Sequence, residues 1–309
     1  GDALTDSDEN VAIGYQALGS DTLGSRSVAI GHTTLFNQNF TTATTAHNTA
    51  IGYFAGAATT TALSNTLIGA LSGDALTTGS DNVSVGVHAL GADTLGARSV
   101  AIGSSALGSQ NFTTATNAYN VAVGTLAGGA LTTGIVNTLI GGLAGDALTD
   151  ADQNVAVGYA ALSQDVRGSF STAIGTGALA SQNFTTATNV YNTAVGYDAG
   201  NSVTTGVENT LIGGLAGDAL TDADFNVAVG YASLSSDTLG SKSVAIGQGA
   251  LNEQNFTTAT DSHNTAVGHA AGNRISTGVE NTLIGALCGD QITTGSSNTK
   301  VGYNLQESA

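Results

Sequence analysis

The acidic stretches of this chain contain the residues best suited to bind a cation. "GDALTDSD" occupies residues 1–8 and "GDALTDAD" occupies residues 145–152 and 217–224, whereas "GDALTTGS" at residues 73–80 lacks the second acidic pair. Ca²⁺ takes about 6–8 oxygen ligands, and the spacing differs from the glycine-rich nonapeptide of calcium-binding β-rolls. We therefore interpret these Asp residues as solvated turn residues, and calcium binding at the acidic turns stays an open alternative.

Neither the histidines nor the serines have the spacing of a metal or catalytic site. His47 and His263 share one position of a repeat with Tyr119 and Tyr191, and members of that position lie too far apart to share an ion at ligand distances of about 2 Å. Every Ser and Asp recurs along the chain, whereas a catalytic constellation is normally unique. No G-K-[ST] follows the Gly-rich "GGLAGDAL", as a phosphate-binding loop would require. The sequence predicts no metal site, no cofactor and no enzymatic activity.

The composition excludes several classes of partner. The net charge is −17 with only six Lys and Arg residues, which disfavours both nucleic-acid binding and attraction to an anionic membrane surface. No apolar run approaches the length of a membrane span, so we expect no direct membrane insertion. The single Cys288 leaves no internal disulfide, and we expect a small buried thiol because Ala144 and Ala216 occupy the equivalent positions.

One motif, N-x-x-[VI]-G, recurs along the whole chain, as in "NVAIGYQAL" at residues 10–18, with Ser in place of Asn in every fourth copy. Its last residue, called here the motif glycine, is followed by the next one after 17, 21, 17 and 17 residues, and this 72-residue cycle then repeats. Fixed short periods indicate a solenoid, in which each repeat is one structural turn. The motif glycines are Gly14, Gly31, Gly52, Gly69, Gly86, Gly103, Gly124, Gly141, Gly158, Gly175, Gly196, Gly213, Gly230, Gly247, Gly268, Gly285 and Gly302.

Each repeat is predicted to be one β coil rather than a helical unit. Its apolar residues form a short run bounded by Asn and Gly, which is typical of a strand of about five residues. Gly, Asn, Asp and Ser supply tight turns, and the absence of Pro suits a hydrogen-bonded ladder. The sequence predicts an all-β parallel β-solenoid of about 17 coils without a helical domain. Residues 1–309 are predicted to be a single domain, with 72-residue superrepeats near 14–85, 86–157, 158–229 and 230–301 and partial ends.

The motif strand is apolar on both of its faces. Side chains alternate between the faces of a strand, and we assign the Val or Ile before the motif glycine, and the Val or Thr two places earlier, to the interior. The Ala or Leu between them is then expected to face outward. Apolar columns on both faces indicate a sheet covered on both sides, and the simplest cover is another copy of the chain. The predicted oligomer interface comprises Ala12, Ala50, Leu67, Ala122, Leu139, Ala194, Leu211, Ala266 and Leu283.

Two further features have alternative interpretations. The extra residues of the 21-residue unit, as in "NQNFTTAT" at 37–44, form either a bulge filled by Phe or a protruding loop that contacts a glycan or receptor. Thr recurs eight residues after the motif glycine, as at Thr60 and Thr77, which suits an ice-binding ladder, but Phe interrupts the adjacent position in every cycle. The candidate surface contacts in the loops are Phe40, Phe112, Phe184 and Phe256.

The motif N-[TV]-A-[VI]-G, as in "NVAIGYQAL" and in "RSVAIG" at residues 26–31, resembles the head repeat of trimeric autotransporter adhesins of the YadA type. The forms "NTAVGYDAG" and "NVAVGYAAL" are similar to repeats in tail-fibre proteins of tailed phages and in related bacterial surface proteins. The resemblance covers essentially the whole chain. It implies a left-handed parallel β-roll, a homotrimer and an attachment role, and it carries no catalytic residues. The coil is longer than the adhesin head repeat, and its cycle is more regular than that family usually shows.

We therefore expect a structural attachment fibre, either the shaft or head segment of a phage tail fibre or a bacterial surface adhesin. Its expected location is extracellular, on a virion or a bacterial cell surface. The expected partners are further copies of the chain, in a homotrimer, and a host-surface glycan or protein bound multivalently. The main alternative is a self-assembling extracellular filament without a receptor, and an ice-binding β-solenoid is a further alternative.

Overall fold

The computed structural model describes residues 1–305, and this range contains strands, turns and loops but no helix. The chain divides into two compact units, Gly1–Asn154 and Val155–Ala309. Each unit is a parallel β-solenoid, and the two together contain 17 motif strands. The prediction of an all-β parallel solenoid of about 17 coils is confirmed.

In the first unit, the three residues before each motif glycine form a strand that pairs in parallel with the strand of the next coil. Equivalent residues lie side by side, as Val11 does with Val28. Two-residue strands pair where a 17-residue coil meets a 21-residue coil. The motif strands are β1 (Val11–Ile13), β3 (Val28–Ile30), β5 (Thr49–Ile51), β6 (Thr66–Ile68), β7 (Val83–Val85), β9 (Val100–Ile102), β11 (Val121–Val123) and β12 (Thr138–Ile140). The two-residue strands are β2 (Gly24–Ser25), β4 (Thr44–Thr45), β8 (Gly96–Ala97) and β10 (Thr116–Asn117).

The second unit repeats this architecture with the same in-register parallel pairing, for example Thr193 beside Thr210 and Ala194 beside Leu211. Its motif strands are β13 (Val155–Val157), β15 (Thr172–Ile174), β17 (Thr193–Val195), β18 (Thr210–Ile212), β19 (Val227–Val229), β21 (Val244–Ile246), β23 (Thr265–Val267), β24 (Thr282–Ile284) and β25 (Thr299–Val301). Its two-residue strands are β14 (Gly168–Ser169), β16 (Thr188–Asn189), β20 (Gly240–Ser241) and β22 (Thr260–Asp261).

The predicted assignment of the two strand faces is wrong, because the middle residue of the motif strand points into the coil. Ala12 in the first strand is exposed, but the other eight residues of the predicted interface are completely buried within the single chain. The flanking Val, Ile and Thr residues are partly exposed instead. The following residues therefore line the core and are not available as an interface between chains: Ala50, Leu67, Ala122, Leu139, Ala194, Leu211, Ala266 and Leu283.

Complementary side-chain volumes explain why this column lies inside. In the coil whose middle residue is Leu, and in the coil before it, the residue four places after the motif glycine is Gly. A Cβ on Gly128 would lie 2.7 Å from Leu139 Cδ1, and a Cβ on Gly145 would lie 2.8 Å from Leu139 Cδ2. In the first two coils of each cycle the middle residue is Ala or Ser, and the residue four places after the motif glycine is a buried Leu, as with Ala101 and Leu107. Close packing of this kind fixes which face is buried.

The Asn of the motif is buried and hydrogen-bonds successive coils together. Asn65 Nδ2 donates to the Gly79 carbonyl at 2.9 Å, and Asn65 Oδ1 accepts from the Asn82 backbone N–H at 2.9 Å. Within each unit this pattern recurs from coil to coil. Each side chain thereby satisfies main-chain groups that burial would otherwise leave without partners.

A buried polar network takes over where Ser replaces the motif Asn. The Asp93 carboxylate accepts from Gly96 N–H at 3.0 Å and from Gln110 Nε2 at 2.6 Å. Gln110 Nε2 also donates to Ser99 Oγ at 3.1 Å, and its Oε1 accepts from Asn120 Nδ2 at 2.9 Å. The same network forms in all four cycles, at Asp21, Asp165 and Asp237 as well. A long polar side chain from the 21-residue coil thus replaces the missing amide of the motif.

The motif glycine permits a backbone conformation and a close approach that a side chain would prevent. Gly86 has a φ of 141°, and a Cβ there would lie 2.4 Å from the carbonyl oxygen of Gly103 in the next coil. Only glycine tolerates both constraints without strain. The glycines therefore determine where the chain turns and how closely the coils stack.

Candidate functional site

The surface of interest is the outward side of the motif strands. We define the outer face as the residues three and one before each motif glycine and the residue immediately after it. In several coils of both units the Ile before the motif glycine is about two-fifths exposed, as with Ile140 (38%) and Ile212 (39%). The residue three before the motif glycine is Val or Thr, so β-branched side chains form two parallel columns along each unit. A long uncharged strip that is rich in exposed Ile and Val is typical of an interaction surface.

Aromatic residues extend the outer face on one side. Tyr15, Tyr53, Tyr159 and Tyr197 follow motif glycines and are more than half exposed. Near the start of the first unit, the His32 ring lies between Tyr15 and Tyr53, with centroid distances of 5.1 and 5.5 Å. Tyrosine combines a large apolar ring with a polar hydroxyl, and for this reason it is enriched in protein interfaces.

The outer face has no formal charge from acidic or basic side chains. None of its positions holds Asp, Glu, Lys or Arg, although the chain as a whole has a net charge of −17. Charged residues are concentrated in the turns instead, where Arg26 pairs with Glu9 at 2.8 Å and Lys242 pairs with Asp261 at 2.5 Å. The outer face is therefore the region where two copies would meet with the least electrostatic repulsion.

The loops of the 21-residue coils do not present their Phe side chains to solvent. Phe112 is 6% exposed, and its backbone N–H donates to Asp93 Oδ1 at 3.2 Å. In the first cycle the Phe40 ring lies against Gly24, where a Cβ would be 2.7 Å from Phe40 Cδ2. The residues that follow, such as Thr113, are exposed. The prediction of Phe surface contacts is wrong for Phe40, Phe112, Phe184 and Phe256, which are all buried by the loop that they anchor.

The Asp residues that follow "G" in "GDAL" lie at a corner of the coil. Burial raises the pKa of the Asp74, Asp146 and Asp218 carboxyls above the ordinary value of 3.8. For Asp74 a backbone hydrogen bond and the nearby His88 oppose this rise in pKa without cancelling it. Among residues 1–305 no group of three or more His, Cys, Asp or Glu side chains has an arrangement that could hold a metal ion.

The recurrent Thr residues and the cysteine contribute to the coil itself. Thr60 Oγ1 donates to the Thr77 carbonyl at 3.1 Å, and Thr77 Oγ1 donates to the Thr94 carbonyl at 2.9 Å. These hydroxyl hydrogens therefore bond one coil to the next. Cys288 is a buried free thiol, as predicted.

The sequence contains a signal that identifies the buried face of the motif strand, which the alternation of apolar residues alone does not reveal. Leu at the middle of the motif strand occurs once per cycle, in the coil that has Gly four residues after both its own motif glycine and the preceding one. Such size compensation is expected only between residues that pack together. The buried Asp and Gln also each recur once per cycle, seven residues after a motif glycine. Recurrent polar residues are equally typical of solvated turns, so the sequence alone does not show that these two are buried.

Within the described part of the chain, no helical segment has the length and hydrophobicity needed to cross a membrane. Comparisons with protein-family models, with curated proteins and with solved structures found no match to this chain.

Proposed function

We propose that this chain is a structural segment of an extracellular attachment fibre, and that it assembles with further copies of itself through the outer face. The observation that carries the proposal is the uncharged strip of Val, Ile and Thr residues along each unit, with Tyr beside it in some coils. The resemblance to trimeric adhesin heads and phage tail fibres supports three copies and a location on a virion or bacterial surface.

The regular spacing of the outer face favours another copy of this chain as its partner. Its side chains recur with every coil, about 4.8 Å apart, and a second solenoid presents the same repeat. Eight or nine coils give each unit an outer face of roughly 40 Å by 13 Å from coil and residue spacings. That is about 500 Å² per unit, which is more than half of the ~800 Å² per partner of a stable interface.

The mechanical consequence of this arrangement is a display scaffold. In-register parallel ladders, buried Asn side chains and the Asp–Gln networks bond every coil to its neighbours within each unit. A scaffold of several chains presents each surface loop in several copies, so weak contacts with a host surface add up through avidity. No chemical step is needed for this role.

The test is to introduce charge into the outer face without disturbing the core. Ile140→Asp combined with Ile212→Asp places two carboxylates per chain on the outer face, one in each unit. Because unpaired charges in an interface cost several kcal/mol, we expect the dissociation constant of the assembly to rise at least ~100-fold. Analytical ultracentrifugation measures this as a shift from a multiple of the 30.3 kDa chain mass to the single chain.

Two controls make the result interpretable. Thr113→Asp with Thr185→Asp adds the same charge on exposed loops and is expected to leave the assembly intact. Leu139→Asp with Leu211→Asp places charge in the core and is expected to unfold the coils. If wild type sediments as a monomer, or if the Ile double variant assembles normally, the proposed interface is wrong. Electron microscopy then separates the alternatives, since a filament without a receptor would show open-ended growth.

A further inference from the structure

The four cycles of the repeat allow one corner of the coil to be compared at four equivalent places. Five residues after the motif glycine, three successive coils of the second cycle carry Gly91, Gly108 and Gly129. The positions equivalent to Gly108 hold Phe36, Ala180 and Asn252, and those equivalent to Gly129 hold Ala57, Asn201 and Asn273. The second cycle is therefore the only one that lacks a side chain at all three positions.

These three glycines are not required by the backbone. None of them has a positive φ, and Ala180 and Asn201 make the same local N–H···O=C hydrogen bond as Gly108 and Gly129. A Cβ on Gly108 would lie 3.1 Å from its nearest neighbour, the Ser105 carbonyl oxygen, so a small local shift would accommodate a side chain. The effect of glycine here is to leave space.

That space is a depression of about 470 Å³ with a mixed polar and apolar lining. Asp74 lies at one end of it, and His88, Ser105 and Leu126 follow one another on three successive coils. These three residues each occupy the second place after a motif glycine and have positive φ values of 56°, 54° and 58°. Ala92, Ser109 and the three glycines complete the lining.

Side chains occupy the equivalent space in the other cycles. Asn252 Nδ2 donates to the Ala232 carbonyl at 3.0 Å and to Ser235 Oγ at 2.7 Å. Asn201 Nδ2 donates to the Gly177 carbonyl at 3.1 Å. In the first cycle the Phe36 ring lies over Gly19, where a Cβ would be 3.1 Å from Phe36 Cδ2. In the second cycle glycine has no side chain that could donate to the equivalent carbonyls, which are those of His88 and Ser105.

We propose that this depression binds a short uncharged saccharide. Its volume lies within the range of about 300–1,000 Å³ that is typical of small-molecule sites. A carboxylate, an imidazole and two hydroxyls provide acceptors and donors for neighbouring sugar hydroxyls, and Leu126 provides an apolar surface for the C–H face of a sugar ring. The net charge of −17 and the carboxylate of Asp74 disfavour anionic sugars.

This inference deepens the proposed attachment function and rests on it only for its biological role, since saccharide binding is measured directly. The probes are the methyl glycosides of glucose, galactose, mannose and N-acetylglucosamine and their disaccharides, with sialyllactose as the anionic comparison. Saturation-transfer NMR detects binding, and titration gives a dissociation constant. We expect a constant of about 1 mM for at least one neutral sugar, typical of a single weak site, and none for sialyllactose.

Two variants locate the binding, and one serves as a control. Gly108→Asn introduces the side chain that fills this space in the fourth cycle, and Asp74→Asn removes the carboxylate. Each is expected to weaken binding at least tenfold. Ala180→Asn makes the matched change at the equivalent position of the third cycle and is expected to leave the affinity unchanged. Sedimentation of all three variants should equal that of the wild type.

Three outcomes would overturn the inference: no neutral sugar binds the wild type, sialyllactose binds best, or the Gly108→Asn and Asp74→Asn variants bind as well as the wild type. If the chain fails to assemble but binds sugar through the depression, the assembly proposal is wrong and the saccharide site stands. If the chain assembles but binds no sugar, the saccharide site is wrong and the assembly proposal stands.

Discussion

Replacing Gln110 by Ala tests the buried network that joins the 21-residue coil to its neighbours. The change removes the 2.6 Å bond from Nε2 to the Asp93 carboxylate, the 3.1 Å bond to Ser99 Oγ and the 2.9 Å bond from Asn120 Nδ2. A hydrogen bond to a charged group contributes about 1.5–3 kcal/mol and a neutral one about 0.5–1.5 kcal/mol. The expected loss is about 4 kcal/mol, because Asp93 also stays buried without its side-chain partner.

Solenoids open coil by coil, so a single global free energy of unfolding is a poor measure of this change. Hydrogen exchange followed by mass spectrometry measures it locally. A loss of about 4 kcal/mol corresponds to a roughly 1,000-fold drop in amide protection, which we expect in peptides covering residues 93–120. The equivalent segment 165–192 contains the same network around Gln182 and serves as an internal reference in the same molecule.

Two further substitutions make the measurement specific. Asn111→Ala changes an exposed neighbour and should reduce protection by no more than about tenfold, the effect of one surface hydrogen bond. Gln110→Glu places a second carboxyl against Asp93, and like-charge repulsion should reduce protection in residues 93–120 at least as far as Gln110→Ala does. Unchanged protection in residues 93–120 for Gln110→Ala, or an equal loss in residues 165–192, would refute the reasoning.

The remaining predictions concern the core column and the corner carboxylates. Leu139→Ala should cost about 2–5 kcal/mol as a core truncation. Gly145→Ala should also destabilise, since the new Cβ would lie 2.8 Å from Leu139 Cδ2. When both substitutions are combined, Gly145→Ala should cost less than it does alone, because the clash with Leu139 is gone. If the two changes in the free energy of local opening were strictly additive, this packing would be contradicted. The combined variant Asp74→Asn, Asp146→Asn and Asp218→Asn should be more stable than wild type at neutral pH. Burial raises the pKa of these carboxyls, so their ionisation opposes folding above the raised pKa, and the advantage should disappear below the ordinary value of 3.8. A thermal-shift series from pH 7 to pH 3.5 measures the difference in melting temperature between the triple variant and the wild type. A difference that does not change with pH would contradict the raised pKa of these carboxyls.

The sequence alone determined the periodicity of the fold and the type of each element. Motif glycines in a fixed cycle of 17, 21, 17 and 17 residues leave no room for helices. They also require in-register parallel pairing, because identical motifs can stack only at identical positions. The Asn four residues before the motif glycine was predictable as a regular element of the repeat, replaced by Ser once per cycle. Its burial and its bonds to main-chain carbonyls became evident only from the structure.

Tertiary structure decided which side of each strand is the inside. The motif strand is apolar on both faces, and a period of two residues is equally compatible with either face pointing inward. Closure of the coil resolves this ambiguity: the glycines next to Leu139 leave a space that its two methyl groups fill, whereas the branched Ile140 on the other face finds no such space and remains exposed. For the same reason the loop Phe residues lie inside, since only the folded coil brings Gly24 close enough for the Phe40 ring to pack against it.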